Sequence, residues 1–433
     1  MKEVKIAIAG FGTVGVGTMQ LLNDHKDDIE QRVGAPISVK WVCSRSRKRS
    51  PLIPKHIEQT NNWRDIVNDP EVDCVIELFG GIEPAKSLVV ESLKNGKHVV
   101  TANKAILSKY WNEIFGLARE YRKLVYFEAA VGGGIPVVQA LNEGLAANEV
   151  DKIIGILNGT TNFILTKMQE LGLSFKKALV EAQKAGFAEA DPSFDVEGID
   201  AAQKISILGS LAAGDWIPPA KVHCEGITHL ELIDIHLIQT RLNSTIKLLA
   251  IAENTPHGWV LRVHPTVVPK THPFANVRNE YNAVALYGNA VGDVMLSGKG
   301  AGRFPTSSAV VSDIIFLCRQ IVNGTAGWLP YVSQFKDYQV KLGQMNEIES
   351  KFYLRIMTAD RPGVLAKITS ILGKNEVSIA SVYQDTNEGQ NLKKPIPIVL
   401  LTHQSREKNV QEAVKAINDL NTTKSDTVIL RTI

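Results

Sequence analysis

Val4-Lys-Ile-Ala-Ile-Ala-Gly-Phe-Gly-Thr-Val-Gly15 decides the fold of the first third of the chain. A near-continuous apolar run over residues 4–9 reads as a buried strand. Gly10, Gly12 and Gly15 then follow in the spacing G-x-G-x-x-G, and a helix extends to about Leu22. In this strand–turn–helix setting Gly10 makes the tight turn, Gly12 admits backbone to a pyrophosphate, and Gly15 lets the helix sit close to the strand. The helix N-terminus offers free N–H groups and a positive dipole end to phosphates. Gly10, Phe11, Gly12, Thr13, Val14 and Gly15 are therefore the expected cofactor cradle.

The same alternation continues downstream. A second strand over residues 37–43 should end at the adenosine ribose, where NAD-selective domains place an acidic residue. This chain instead offers Ser44, Arg45, Ser46, Arg47, Lys48 and Arg49. A guanidinium fork suits a 2′-phosphate, so Arg45 is the expected phosphate reader. NADP(H) is favoured, with NAD(H) as the alternative; a solvated basic loop is the plainer explanation. Strands over 74–78, 98–101 and 124–128, with helices over 84–95 and near 111–121, predict a parallel, doubly wound sheet of Rossmann type. Ligand loops of such a sheet lie beyond the strand C-termini, where Thr101-Ala-Asn-Lys104 falls, so Lys104 should point into the cleft.

Length and composition set the frame. A chain of 433 residues needs two or three domains. Its 44% hydrophobic and 21% charged content is that of a globular protein, and a net charge of +3 argues against nucleic acid or a membrane surface as the main partner. No apolar run approaches the roughly 20 residues of a spanning helix. The opening reads as a strand and not a signal peptide. Cys43, Cys74, Cys224 and Cys318 lie far apart and without metal-ligand spacing, so buried free thiols of a cytoplasmic protein are expected.

The chemistry concentrates in Gly186-Phe-Ala-Glu-Ala-Asp-Pro-Ser-Phe-Asp-Val-Glu-Gly-Ile-Asp-Ala-Ala-Gln-Lys204. Five carboxylates crowd a broken loop that enters an apolar helix over 201–211. Asp200 and Lys204 are four apart and share a helix face. A lysine held beside a carboxylate, with its stem partly desolvated, can donate a proton. An exposed ion pair beside a solvated loop is the competing explanation. Asn158-Gly-Thr-Thr-Asn162 follows a strand over 151–157 and opens a helix over 163–171, so Gly159 and Thr160 can hold a carboxylate or merely cap the helix. A further glycine-rich loop, Leu296-Ser-Gly-Lys-Gly-Ala-Gly302, precedes a helix from about Ser308 that can return to the nucleotide domain.

Taken together, T-A-N-K (101–104), E-A-x-V-G-G-G-I-P (128–136), N-G-T-T-N (158–162), the 186–204 stretch and G-x-G-A-G…P-T-x-S-A-V (298–310) resemble homoserine dehydrogenase over about residues 1–345. The resemblance implies reversible NAD(P)-dependent interconversion of L-homoserine and L-aspartate 4-semialdehyde in threonine and methionine biosynthesis, by a homodimer or homotetramer. It implies Lys204 as proton donor with Asp200 as its partner, Glu189 on the substrate amino group, and Lys104 near both cofactor and substrate. It places Gly302 on the cofactor and a structural monovalent cation such as sodium on Glu128, Val131, Gly133 and Ile135.

Beyond a polar joint at 346–351 the chain reads β-α-β-β-α-β, with Asp360-Arg-Pro-Gly363 before the first helix. This pattern resembles an ACT domain, which implies an amino-acid effector, threonine by family resemblance, or a dimerisation module without ligand. The expected units are 1–135 for the nucleotide, 136–305 for substrate and dimerisation, and 350–433 for the tail. A helical segment over about 306–345 should pack back on the first unit. A non-catalytic amino-acid sensor and a dehydrogenase of another amino-acid semialdehyde are the alternative readings; an intact glycine fingerprint with Lys104, Asp200 and Lys204 argues against the sensor.

Overall fold

The computed structural model describes residues 3–45, 50–332, 339–384 and 395–433. Of the basic loop, Ser46, Arg47, Lys48 and Arg49 lie outside the described residues. The N-terminal part alternates β1 (Val4–Ala9), α1 (Thr13–Asp24), α2 (Lys26–Val33), β2 (Ile37–Cys43), β3 (Glu58–Thr60), α3 (Trp63–Asn68), β4 (Cys74–Glu77), α4 (Ala85–Lys94), β5 (His98–Thr101), α5 (Lys104–Glu120) and β6 (Val125–Tyr126). The strands pair in parallel in the order β3-β2-β1-β4-β5-β6. Helices cover both faces, which is why β1 is apolar on consecutive residues, with Ile6 to Ala9 fully buried.

Two local expectations shift. The helix expected near 111–121 begins earlier: the Asn103 side chain caps the Ala105 N–H, so α5 starts at Lys104, directly after the end of β5, and kinks at Tyr110. The strand expected over 124–128 stops at Tyr126, and Glu128 turns into a short 3-10 segment.

The middle of the chain supplies α6 (Val137–Gln139), β7 (Val150–Ile156), α7 (Gly159–Leu171), α8 (Phe175–Lys184), α9 (Ser193–Val196), α10 (Ile199–Ala213), β8 (His223–Cys224), α11 (Leu232–Arg241), β9 (Ser244–Thr255), β10 (Gly258–Pro269), β11 (Tyr281–Gly288) and β12 (Gly292–Lys299). Antiparallel pairing gives the order β12-β11-β7-β9-β10. The apolar stripes of α7 and α10 lie on β9, burying Ile205 and Leu208 against Ala252 and Leu261. The chain then returns through α12 (Arg303–Val322), which packs on α1 and α2 and donates from Ser307 Oγ to the Val14 carbonyl. This helix ends at Val322, where Gly324 takes a left-handed turn (φ 68°), so residues 306–345 are not one helix.

The C-terminal part comprises β13 (Glu349–Thr358), α13 (Val364–Lys374), β14 (Ile379–Gln384), β15 (Ile396–Thr402), β16 (Ser405–Arg406), α14 (Glu407–Asn418) and β17 (Val428–Thr432). Its own sheet runs β17-β13-β15-β14, with α13 and α14 over one face and Phe352, Leu354, Ile368 and Val410 inside. It is not separated from the rest. β17 pairs in parallel with β10 at Thr266/Arg431 and Val267/Thr432, so the middle and C-terminal sheets are continuous. Arg355 of β13 makes a buried ion pair with Asp234 of α11, and Arg431 of β17 joins Glu225 to Glu407. The polar joint expected at 346–351 is the end of a short 3-10 turn and the start of β13, while the contact itself is made by residues far apart in the chain.

Cys43, Cys74 and Cys318 are buried free thiols; Cys224 is free but exposed. Among the described residues no helix is long and apolar enough to cross a membrane.

Candidate active site

A cleft of about 420 Å³ opens where α5, the start of α7, the α9–α10 turn and the Gly300–Gly302 loop converge. Lys104, Asn158, Gly159, Thr160, Asp200 and Lys204 all line it, together with Gly302. Asp200 sits in the first turn of α10, where a carboxylate complements the helix dipole, and Lys204 follows one turn on. Lys204 Nζ donates to Asp200 Oδ2 at 2.7 Å and to the Leu157 carbonyl at 2.6 Å. An ammonium carries three protons, so these two bonds leave one for the cleft. Lys104 Nζ lies 3.2 Å from Asp200 Oδ1, so the two oxygens of one carboxylate each hold a different lysine. Burial alone would push Asp200 up, but the charges of Lys204 and Lys104 and the Lys204 hydrogen bond outweigh it and hold the group near 2.

Asn158 was not legible as a site residue in its own right. Its Oδ1 caps the Thr161 N–H at 2.8 Å, while its Nδ2 donates to Asp195 Oδ1 at 2.7 Å and Asp200 Oδ2 at 2.9 Å. One amide thus fixes the mouth of α7 and both carboxylates. Burial, with some help from the nearby Asp200, raises Asp195 from its ordinary value. Thr160 Oγ1 donates to the Phe187 carbonyl, which ties the acidic loop to α7. Gly159 and Thr160 belong to the first helical turn, whose N–H groups lack intrahelical acceptors. Glu189 stands apart: it is exposed, and it is not among the residues lining the cleft, which on this loop are Gly186, Phe187 and Asp195.

On the nucleotide side Gly12 is the N-cap of α1, no side chain caps the helix, and its first turn holds no acid. A methyl on Gly15 would stand 2.1 Å from the Gly10 carbonyl, so only glycine lets α1 approach β1. Nothing lies within 4 Å of a methyl placed on Gly12, which leaves room for a pyrophosphate above free N–H groups. Phe11 and Val14 are partly buried against the sheet core, and Thr13 is exposed. Arg45 is exposed beyond the end of β2. Glu77, at the end of β4, is fully buried and accepts from the Phe79 N–H and from Thr101 Oγ1 at 2.5 Å. It ties the loops that follow β4 and β5 to each other, and burial raises its pKa. A single Glu ending an apolar strand gave no sign of this.

The residues matching the cation set lie beneath the glycine loop. The Glu128 carboxylate is 1% exposed and accepts from the Val138 and Gln139 N–H groups at 2.9 and 2.8 Å. Burial raises it to about 7. Asp313, also buried, accepts the Glu128 N–H and keeps Oδ1 without a hydrogen-bond partner. Val131, Gly133 and Ile135 follow in a turn whose Gly134 N–H bonds to the Lys299 carbonyl. A desolvated carboxylate with spare lone pairs and a turn of backbone carbonyls is an oxygen-only set, suited to a hard cation. Among the described residues no group of three His, Cys, Asp or Glu side chains could hold a metal ion.

Residues 10–128 match the family described as "Homoserine dehydrogenase, NAD binding domain", residues 136–315 match "Homoserine dehydrogenase", and residues 352–421 match "ACT domain". The chain is 42% identical to a homoserine dehydrogenase of Neisseria gonorrhoeae over 100% of this chain and 99% of that protein. It is 38% identical to that of Bacillus subtilis over 97% and 96%. The crystal structure of a homoserine dehydrogenase from Thiobacillus denitrificans superposes with a TM-score of 0.94 at 41% identity, covering 100% of this chain and 99% of the other. A hyperthermophilic archaeal homoserine dehydrogenase in complex with NADPH matches 72% of this chain and 97% of its own, at TM-score 0.62 and 28% identity. With its glycine cradle, its paired lysines on Asp200 and its C-terminal ACT domain, this chain belongs to the homoserine dehydrogenase family.

Proposed function

We propose that this homoserine dehydrogenase uses NADP(H) in preference to NAD(H), and that Lys204 donates the proton when L-aspartate 4-semialdehyde is reduced to L-homoserine. The observation that carries this reading is Lys204 held on Asp200 with one proton left for the cleft. The bound cofactor supplies or accepts the hydride at the carbonyl carbon. Negative charge then grows on the substrate oxygen, and an ammonium beside it stabilises and protonates that oxygen. Asp200 keeps the two lysines together and stays ionised through the neutral range. Lys104 acts at the boundary of cofactor and substrate. The α7 N–H groups of Gly159 and Thr160 take the substrate carboxylate, and Glu189, on the acidic loop that walls the cleft, takes its ammonium.

Gly10 to Gly15 and Gly302 hold the dinucleotide, and Arg45 reads the 2′-phosphate in the place where no acid stands. A monovalent cation such as sodium would sit on Glu128 and the carbonyls of Val131, Gly133 and Ile135, neutralising a buried carboxylate. The working form is a homodimer or homotetramer, and threonine is the effector read by the ACT domain. Absorbance assays with homoserine and either NADP or NAD, on the native chain and on Lys204→Ala, test the central reading. Equal use of the two cofactors would remove the NADP preference, and full turnover by the variant would remove Lys204.

A further inference from the structure

We propose that Glu225 and Arg431 form a positioning strut through which the last strand of the ACT domain holds the catalytic turn in place. This inference rests on the assignment of Asp200 and Lys204 to the chemistry. Arg431 Nη1 donates to Glu225 Oε2 at 2.6 Å, and Nε and Nη2 donate to the two oxygens of Glu407 at 3.0 and 2.6 Å. The other Glu225 oxygen meets His223 Nε2 at 2.7 Å, and the Glu225 N–H bonds to the Val263 carbonyl of β10.

The segment so anchored is the bed of the turn between α9 and α10. Ile227 N–H donates to the Val196 carbonyl at 2.9 Å, and Cys224 Sγ to the Glu197 carbonyl at 3.1 Å. A methyl on Gly226 would stand 2.4 Å from the Val196 carbonyl and 2.6 Å from Glu197 Cα, so the two stretches touch backbone to backbone. Asp195 and Asp200 lie directly on either side of the supported residues 196–198. A shift of β17 therefore reaches the turn that carries the two carboxylates through the Arg431–Glu225 ion pair and the backbone contacts of Gly226 and Ile227. Both members of the pair also border a cavity of about 530 Å³ at the seam of the two domains.

Glu225 is the member to change. Arg431 stays paired with Glu407 when Glu225 is removed, so no buried charge is orphaned. In the full-length enzyme Glu225→Ala is expected to lower kcat about ten-fold or more, since small misplacements of catalytic groups cost on that scale. The cofactor Kd should remain within about two-fold, and amide hydrogen exchange should quicken at 195–200 and 223–228 alone. Glu225→Gln, whose carboxamide oxygen still accepts from Arg431, should recover most of the turnover. Unchanged kcat and exchange in Glu225→Ala would overturn the strut. So would exchange that quickens uniformly across the domains, or a Glu225→Gln enzyme no better than the alanine variant. Lys204→Ala is assayed beside them: normal turnover there would defeat the site assignment and not the strut.

Discussion

Arg355 and Asp234 meet in a two-bonded ion pair sealed inside the seam, Nε to Oδ1 at 2.6 Å and Nη2 to Oδ2 at 3.0 Å, with side-chain exposures of 4% and 0%. Tyr353 adds its hydroxyl to the same carboxylate at 3.1 Å. Removing one partner of such a pair costs about 3–5 kcal/mol, because the other is left buried and charged. Deleting residues from about 347 onward strips Asp234 of both partners and bares the β10 edge. The polar joint in the sequence points to a clean cut that leaves a working enzyme. The structure instead predicts a truncated chain with lowered thermal unfolding temperature and poor soluble yield. A truncated chain that melts with the full-length enzyme and retains its turnover would show that the seam carries little of the stability.

Lys204→Ala is expected to reduce turnover by on the order of 10²–10⁴-fold, since it deletes the general acid, while cofactor affinity changes little. Steady-state kinetics combined with fluorescence titration of NADPH separates the two effects. A variant that loses both in proportion would point to collapse of the Asp200 cluster.

Arg45→Ala should weaken NADPH by about 10–100-fold and leave NADH nearly unchanged, because a charge-assisted bond is worth roughly 1.5–3 kcal/mol. Parallel titrations with the two reduced cofactors decide it. Equal losses would mean that Arg45 does not distinguish them.

Lys247 gives a pH signature. It is 1% exposed behind α7, donating to Asn162 Oδ1 at 3.1 Å and to the Val277 carbonyl at 2.5 Å. Burial, with some help from Arg278, lowers it from 10.5 to about 8. Below 8 the amine is charged in both the folded and unfolded chain, and the folded chain bears the cost. Between about 8 and 10.5 the folded state releases the proton while the unfolded state retains it, so stability rises with pH. The stability of the native enzyme minus that of Lys247→Met should climb by roughly 3 kcal/mol over this window, as about 1.4 kcal/mol per pKa unit requires. A flat difference in denaturant titrations from pH 7 to 10.5 would contradict the shift.

What could be read from the sequence was what neighbouring residues encode. Gly10, Gly12 and Gly15 specify a turn within six positions, and Asp200 and Lys204 find each other across one helical turn. The helix at Val364–Lys374 follows from its apolar spacing and from the Asp360-Arg-Pro-Gly363 stop before it. What could not be read depends on partners distant in the chain. Asn158 reaches Asp195 across 37 positions, Thr101 reaches Glu77 across 24, and Arg355 reaches Asp234 across 121. Each looked like an ordinary cap, strand end or surface charge. Glu189 differs from its motif neighbours, which line the cleft, in that its own side chain is exposed. The pairing of β10 with β17 likewise has no local trace in either strand.

The chain crosses between nucleotide and substrate domains three times, after Glu128, before α12 and again between α12 and Val340, and the first two crossings touch. A methyl on Gly133 would lie 2.4 Å from the Gly300 carbonyl group. Two of the three tethers are thus held backbone to backbone at one place. Gly300 of this contact lines the cleft together with Gly302. The closeness of these two crossings, and with it the wall of the cleft, therefore depends on position 133 carrying no side chain.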